Sequence, residues 1–162
     1  MSLIIKHNPH GSAQQTPGRV VLHAMGEFIL HEGKILPAED FLLKQGLSAH
    51  VLVTPRGEEI KLRKDDEGAY HARGFNKNSL GIEFLVPGIH TYETFLDAIK
   101  RNYLTDAAYD TGVNVVCTWC LLHNIQSIDR HSFLDPSRKY DPGAGFPYQK
   151  FIDDVEQKRS EP

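Results

Sequence analysis

The stretch "DRHSFLDPSRKYDPG", residues Asp129 to Gly143, sets one imidazole, one ammonium and one carboxylate in a short stiff segment. Lys139 follows His131 by eight residues and Asp141 follows it by ten, with Pro136 between and Pro142-Gly143 at the end. Asp141-Pro142-Gly143 reads as a type II turn, with proline and glycine in its two central positions, and that turn would hold the Asp141 carboxylate in place. A turn of this composition on its own is only a turn. It becomes a site if the rest of the chain brings a second imidazole to it.

On the N-terminal side of this stretch, "IQSID" reads as a short strand feeding into His131. Before it, Thr105 is a good N-cap for "DAAYDTGVNVVCTWCLLHN", where Ala108, Val115, Val116, Trp119 and Leu122 recur at helical spacing and Asn124 terminates. Gly112 weakens that helix slightly. After the stretch, "PYQKFIDDVEQKR" reads as a closing helix with Pro147 in its first turn. Earlier in the chain, "GRVVLHAM" (Gly18 to Met25) and "NSLGIEFLV" (Asn78 to Val86) read as buried strands. "PAEDFLLKQG" is a short helix between Pro37 and Gly46, and "SAHVLVTPRGEEIKLR" is a hairpin about Pro55-Arg56-Gly57. Strands and helices are mixed, so the expected fold is α/β: a single domain with a central mixed β-sheet flanked by helices. Its core should run from about 18 to 157, with residues 1–17 peripheral.

At 162 residues, 40% hydrophobic and 24% charged, the chain suits one globular domain with a sizeable core. A net charge of -3 gives no electrostatic case for nucleic acid. No apolar run is long enough to span a bilayer, and the opening "MSLIIKHNPHGSAQQTPG" is not a secretory signal. Cys117 and Cys120 form a lone C-x-x-C: a redox pair, half a zinc site, or two small core residues. A zinc ribbon needs a second pair, and a thioredoxin-type pair opens a helix whereas these lie inside one, so the core reading is preferred. A reduced, intracellular protein is expected.

Of nine histidines, His23, His71 and His131 stand out. His23 ends an apolar strand, His71 lies in "GAYHARGFN", and His131 ends the strand before the opening stretch. Taken singly, each is more often structural. Two imidazoles together with Asp141 make a three-ligand set whose fourth tetrahedral position stays open, as catalytic zinc requires. Glu83 is a carboxylate in the otherwise apolar "SLGIEFLV", on the face of Gly81 and Leu85. Partial desolvation there would raise its pKa toward that of a useful general base, although a strand-end residue reaching solvent is an equal alternative. Lys139 would bring an ammonium beside the metal, where it could stabilise a developing oxyanion.

With these residues in place, the chain resembles the zinc-dependent N-acetylmuramoyl-L-alanine amidases, whose fold is shared with peptidoglycan recognition proteins and phage lysozyme-type amidases. "RHSFLDPSRKYDPG" is similar to the family's H-S-x-x-x-P-x-R-K-x-D-P-G segment, in the form closest to the cytosolic bacterial amidase that recycles anhydro-muropeptides. "VVLHAM" resembles its first-ligand strand, "GLSAHVLVTPRGEEIK" its central hairpin, and "YHARGFNKNSLGIEF" the segment running into its catalytic glutamate. The likeness runs from about Val20 to Phe146, with the pieces in family order.

The resemblance implies that His23, His131 and Asp141 are zinc ligands, with Glu83 and Lys139 catalytic. It implies that His71 and Asn76 meet substrate, Asn76 through loop support or direct contact. Where some relatives carry a tyrosine before the hairpin histidine this chain has Ala49, so the base role falls on Glu83, and His50 is expected in the core or behind the ligands. The implied reaction is hydrolysis of the amide between N-acetylmuramic acid, or its anhydro form, and L-alanine of the stem peptide. The alternative is a noncatalytic module that binds peptidoglycan or muropeptides. The implied partners are peptidoglycan fragments, with no nucleic acid and no membrane. The expected location is the cytoplasm, with phage endolysin-type release as the other route. Three departures bear on substrate preference: "AMGEF" lacks the family's small hydroxyl residues, the glycine after the glutamate strand is displaced to Gly88, and "PGIHTYETFLDAIKRNY" resembles an insertion along one cleft wall.

Overall fold

The computed structural model describes residues 2–162. Its elements in chain order are β1 (Leu3–Ile5), β2 (Arg19–His31), β3 (Lys34–Pro37), α1 (Ala38–Gln45), β4 (Val51–Val53), β5 (Glu59–Lys61), β6 (Ser79–His90), α2 (Tyr92–Ala98), α3 (Asp106–Leu122), β7 (Ser127–Arg130), α4 (His131–Leu134) and α5 (Tyr148–Arg159). The strands form one mixed sheet in the order β1-β5-β4-β6-β2-β3, with β7 also paired to β2. At its centre β4, β6 and β2 run parallel, while β4–β5 and β2–β3 are antiparallel. β7 lies parallel to the first half of β2, Val20 beside Ile128, and β3 takes the same edge further along. The expected α/β domain with a mixed, helix-flanked sheet is what forms.

The two faces of the sheet are covered differently. Val20, Leu22, Val51, Val53, Leu80, Ile82 and Phe84 face α3 and α5, and Phe84 packs with Phe146 and Phe151 there. Gly112 lets α3 lie close to the sheet: a Cβ on it would sit 2.4 Å from the Phe84 ring. The glycine that weakened the helix in sequence is thus a packing residue. Cys117 and Cys120 are buried free thiols in this same core, as the core reading expects. Leu122, counted with the apolar face of α3, is exposed, because the helix ends there and its last turn leaves the sheet.

On the opposite face, Leu52, Ile60, Leu62 and Leu85 pack under Ala38 and Leu42 of α1. This helix starts after Pro37 and stops at Gly46, whose φ of 70° few other residues adopt. α1 covers only part of that face. Side chains alternate along a strand, so His23 (between Leu22 and Ala24) and Glu83 (between Ile82 and Phe84) point to the partly covered side.

Residues 2–17 reach this sheet: β1 extends it beside β5, and the buried Arg63 guanidinium donates to the carbonyls of Asn8 and Ser12. Four elements carried no clear sequence signal: β1, the β3 extension of β2, α2 and the single turn α4. Among the described residues, no helix is long and apolar enough to cross a membrane.

Candidate active site

His23 does not end its strand as expected but sits in mid-strand β2, which runs on to His31, and parallel pairing with β6 sets it beside Glu83. His131 opens the single turn α4 directly after β7, rather than ending the strand itself. The pairing of β7 with Val20–Leu22 therefore delivers the start of α4 next to His23. The loop back to Asp141 is closed by the Ser132 amide, which donates to the Asp141 carbonyl at 2.9 Å. That bond holds the residues on either side of the ten-residue spacing adjacent in space.

The type II turn expected at Asp141-Pro142-Gly143 forms only in part. Gly143 has the required positive φ of 85°, but the Asp141 carbonyl accepts from the Ser132 amide instead of closing the turn. The loop is backed by the segment that follows α2. The Tyr103 hydroxyl donates to the Pro142 carbonyl at 2.7 Å, and the Gly145 amide donates to the Ile99 carbonyl at 2.7 Å.

Three ligand atoms converge here. His23 Nδ1 lies 3.0 Å from His131 Nδ1 and 3.2 Å from Asp141 Oδ2, and His131 Nδ1 lies 3.2 Å from Asp141 Oδ1. All three side chains are buried. A tetrahedral zinc with bonds of about 2.0–2.1 Å spaces its ligand atoms by about 3.3 Å, so the donor set suits that ion in type and spacing. Burial alone would raise the Asp141 carboxyl, yet its close contacts with the His131 and His23 imidazoles outweigh it and hold it well below the usual carboxylate range. Burial lowers the His23 imidazole despite the pull of Asp141. The set is thus an ionised carboxylate beside a neutral imidazole, the forms in which both ligate.

Glu83 is 8% exposed, and its Oε1 has no hydrogen-bond partner among the described residues. Burial first, and then the nearby Asp141 charge, push its carboxyl well above the ordinary glutamate value, with Lys139 opposing. An unpartnered buried carboxylate is costly unless something is meant to meet it. The alternative that Glu83 reaches solvent at a strand end is therefore excluded.

A cleft of about 550 Å³ opens over these groups, and Glu83, Lys139, His71 and Asn76 all line it. Its walls are apolar and aromatic, with Phe41 and Leu47 on one side and Tyr92, Phe95 and Leu96 of α2 on the other. The segment that resembled an insertion in the sequence thus lines the cleft. Asn76 serves the loop: its side-chain oxygen accepts the amides of His71 and Ala72 at 3.0 and 2.8 Å. His71 contacts His23 and Ser79. His50 is wholly buried, accepts the Gly81 amide and meets the Glu67 carbonyl, and burial lowers it to about 4. It is a core histidine. Tyr103 and Ser79 escaped the sequence reading. Gly81, alone in an apolar strand, was the available signal of a close approach beside Ser79.

Residues 12–144 match the family model described as N-acetylmuramoyl-L-alanine amidase. A comparison with curated proteins returns no match. Among solved structures, the N-acetylmuramoyl-L-alanine amidase LysC from Clostridium intestinale URNW aligns with a TM-score of 0.71 at 15% identity, over 96% of this chain and 98% of that one. The selenomethionine derivative of AmpD aligns with a TM-score of 0.71 at 24% identity, over 94% of each chain. Drosophila peptidoglycan recognition protein SA gives 0.64 at 14% identity, over 91% of this chain and 89% of that one. At such identities the likeness is one of fold, but the family model spans most of the sequence and takes in both halves of the ligand set. The chain belongs to the N-acetylmuramoyl-L-alanine amidase family.

Proposed function

We propose that this protein is a zinc-dependent amidase that hydrolyses the amide between the lactyl group of N-acetylmuramic acid, or its anhydro form, and L-alanine of the stem peptide. One observation carries the reading: a three-ligand donor set, an unpartnered buried carboxylate and a lysine share one cleft. A module that only binds would need neither the carboxylate nor the lysine there.

In this reading His23, His131 and Asp141 hold zinc, which supplies Lewis acidity toward the scissile carbonyl and toward water. Glu83, which lines the cleft, takes in its ionised form the proton from the attacking water and returns it to the leaving L-alanyl amine. Its raised pKa matches both halves of that task, because a stronger acid would not hold the proton long enough to deliver it. Lys139 sets its ammonium against the charge that develops on the carbonyl oxygen. The apolar walls keep bulk water from the reacting groups and strengthen both electrostatic effects. The partners proposed are muropeptides or peptidoglycan fragments, encountered in the cytoplasm.

The test is a mass-spectrometric digest of purified muropeptides, with and without anhydro ends, run with zinc and with a chelator. Release of a free L-alanyl peptide that the chelator abolishes is the expected result. Intact substrate in the presence of zinc would overturn the enzyme and leave a recognition module in its place.

A further inference from the structure

Behind the ligand set, away from Asp141, His23 has a second partner. Its Nε2 lies 2.8 Å from His71 Nδ1. His71 Nε2 lies 2.9 Å from Ser79 Oγ, and Ser79 Oγ lies 2.5 Å from the Phe75 carbonyl oxygen. We infer that Ser79 and His71 form a hydrogen-bond relay that holds His23 as the Nε2–H tautomer, leaving its Nδ1 lone pair free for the metal. His71 is then a positioning residue in addition to lining the cleft. The inference rests on the zinc reading for its purpose, but not for its proton assignment.

The direction follows from which atoms can donate. The Phe75 carbonyl only accepts, so the single Ser79 proton must lie between those two oxygens; otherwise two sets of lone pairs would face each other at 2.5 Å. Ser79 Oγ is then left to accept, and His71 must carry its proton on Nε2. His71 has no carboxylate among its hydrogen-bond partners to hold a second proton, so its Nδ1 accepts. His23 therefore donates from Nε2. Asp141 Oδ2, 3.2 Å from His23 Nδ1, competes for the same proton. Were it to win, His23 Nε2 and His71 Nδ1 would meet bare at 2.8 Å, whereas Asp141 still has His131 Nδ1 and the Ala24 amide as donors.

Two further features fit the relay. Gly81 leaves the room His71 needs: a Cβ there would fall 2.5 Å from His71 Nδ1. Asn76 pins the His71 backbone through the 3.0 Å bond to its amide. By contrast, the outer nitrogen of the other imidazole ligand, His131 Nε2, has no hydrogen-bond partner among the described residues. The support is built for one ligand, as partners of metal-bound histidines generally are, to set tautomer and ring orientation.

The test is imidazole nitrogen NMR on the metal-free full chain, read beside zinc affinity from chelator competition. In the wild-type protein His23 should show a protonated Nε2, a bare Nδ1, and a through-hydrogen-bond coupling to His71 Nδ1. Ser79→Ala should lose that coupling, populate both His23 tautomers and weaken zinc binding by about 10–100-fold. Ser79→Thr, which keeps the hydroxyl, should restore both readouts. Gly81→Ala should act like Ser79→Ala by displacing the His71 ring, and it tests the relay if Ser79→Ala does not fold. A wild-type His23 protonated on Nδ1, or a folded Ser79→Ala with unchanged tautomer and affinity, would overturn the relay. The predicted tautomer in a chain that fails to cut muropeptides would instead overturn the amidase reading and leave the relay standing.

Discussion

His23 and Glu83 are register partners on adjacent parallel strands, β2 and β6, and their side chains share the face of the sheet that α1 leaves partly open. The first candidate ligand and the candidate base are thus placed by backbone pairing rather than by a loop. Strand pairing fixes two Cα positions as firmly as anything in a fold, so the arrangement should survive changes in the surrounding loops. His131 and Asp141 are brought to that pair from the opposite edge of β2, by β7 and the bond from the Ser132 amide.

Asp141→Ala should lower zinc content and hydrolysis together. Loss of a ligand is expected to cost more than loss of a supporting partner, so zinc affinity should fall by more than about 100-fold. Metal analysis of the purified variant checks this, and unchanged content would remove Asp141 from the ligand set.

Glu83→Gln should keep zinc and lose about 10²–10⁴ in turnover. In the wild type, kcat/KM should fall on the acid side as Glu83 becomes protonated. The folded state holds a proton on Glu83 over a pH window in which the unfolded chain has released it. This contribution to stability is complete below the ordinary value of 4.5 and is lost as pH rises through the folded value. Denaturant titrations of chelator-treated protein should therefore show Glu83→Gln gaining stability over wild type on going from acid to neutral pH. A difference that stays flat with pH would mean that Glu83 takes up its proton at the same pH in the folded and unfolded chains.

Tyr103→Phe should destabilise the fold by about 1–2 kcal/mol, since it leaves the Pro142 carbonyl without its donor. Thermal unfolding would register this as a drop of about 2–8 °C for a chain of this size. The effect should be larger on metal affinity than that of surface changes in α2, because the bond lies one residue from Asp141.

Gly112→Ala should also destabilise, against helix propensity. Alanine would gain about 1 kcal/mol in an open helix, but a Cβ placed 2.4 Å from the buried Phe84 ring forces the sheet and α3 apart, at about 1–3 kcal/mol. A stabilised variant in equilibrium unfolding would show that the ring can move aside.

Much of this was legible in the chain itself. The apolar runs at Val20–Leu22 and Leu80–Ile82, the Thr105 cap, and the Pro37 and Gly46 bounds of α1 are local signals, and local backbone preferences carry them. The spacing of His131, Lys139 and Asp141 marked the site because a short loop limits where its side chains can go. Leu122 misled, since periodicity does not say where a helix leaves its sheet. The turn at Asp141 was read from composition, which does not report where a carbonyl will find its donor.

The sequence by itself determined the element types at the core and the α/β class, because each is written in residue type and spacing, while the candidate ligands, base and lysine came from its resemblance to the amidase family. Only the tertiary structure decided that Glu83 is buried without a partner, that the segment Tyr92–Ala98 is helical, and that Ser79 and His71 stand behind His23. Those facts depend on contacts between residues far apart in the chain: 48 positions separate His23 from His71. Long-range packing settles burial and proton placement, and no local pattern encodes either.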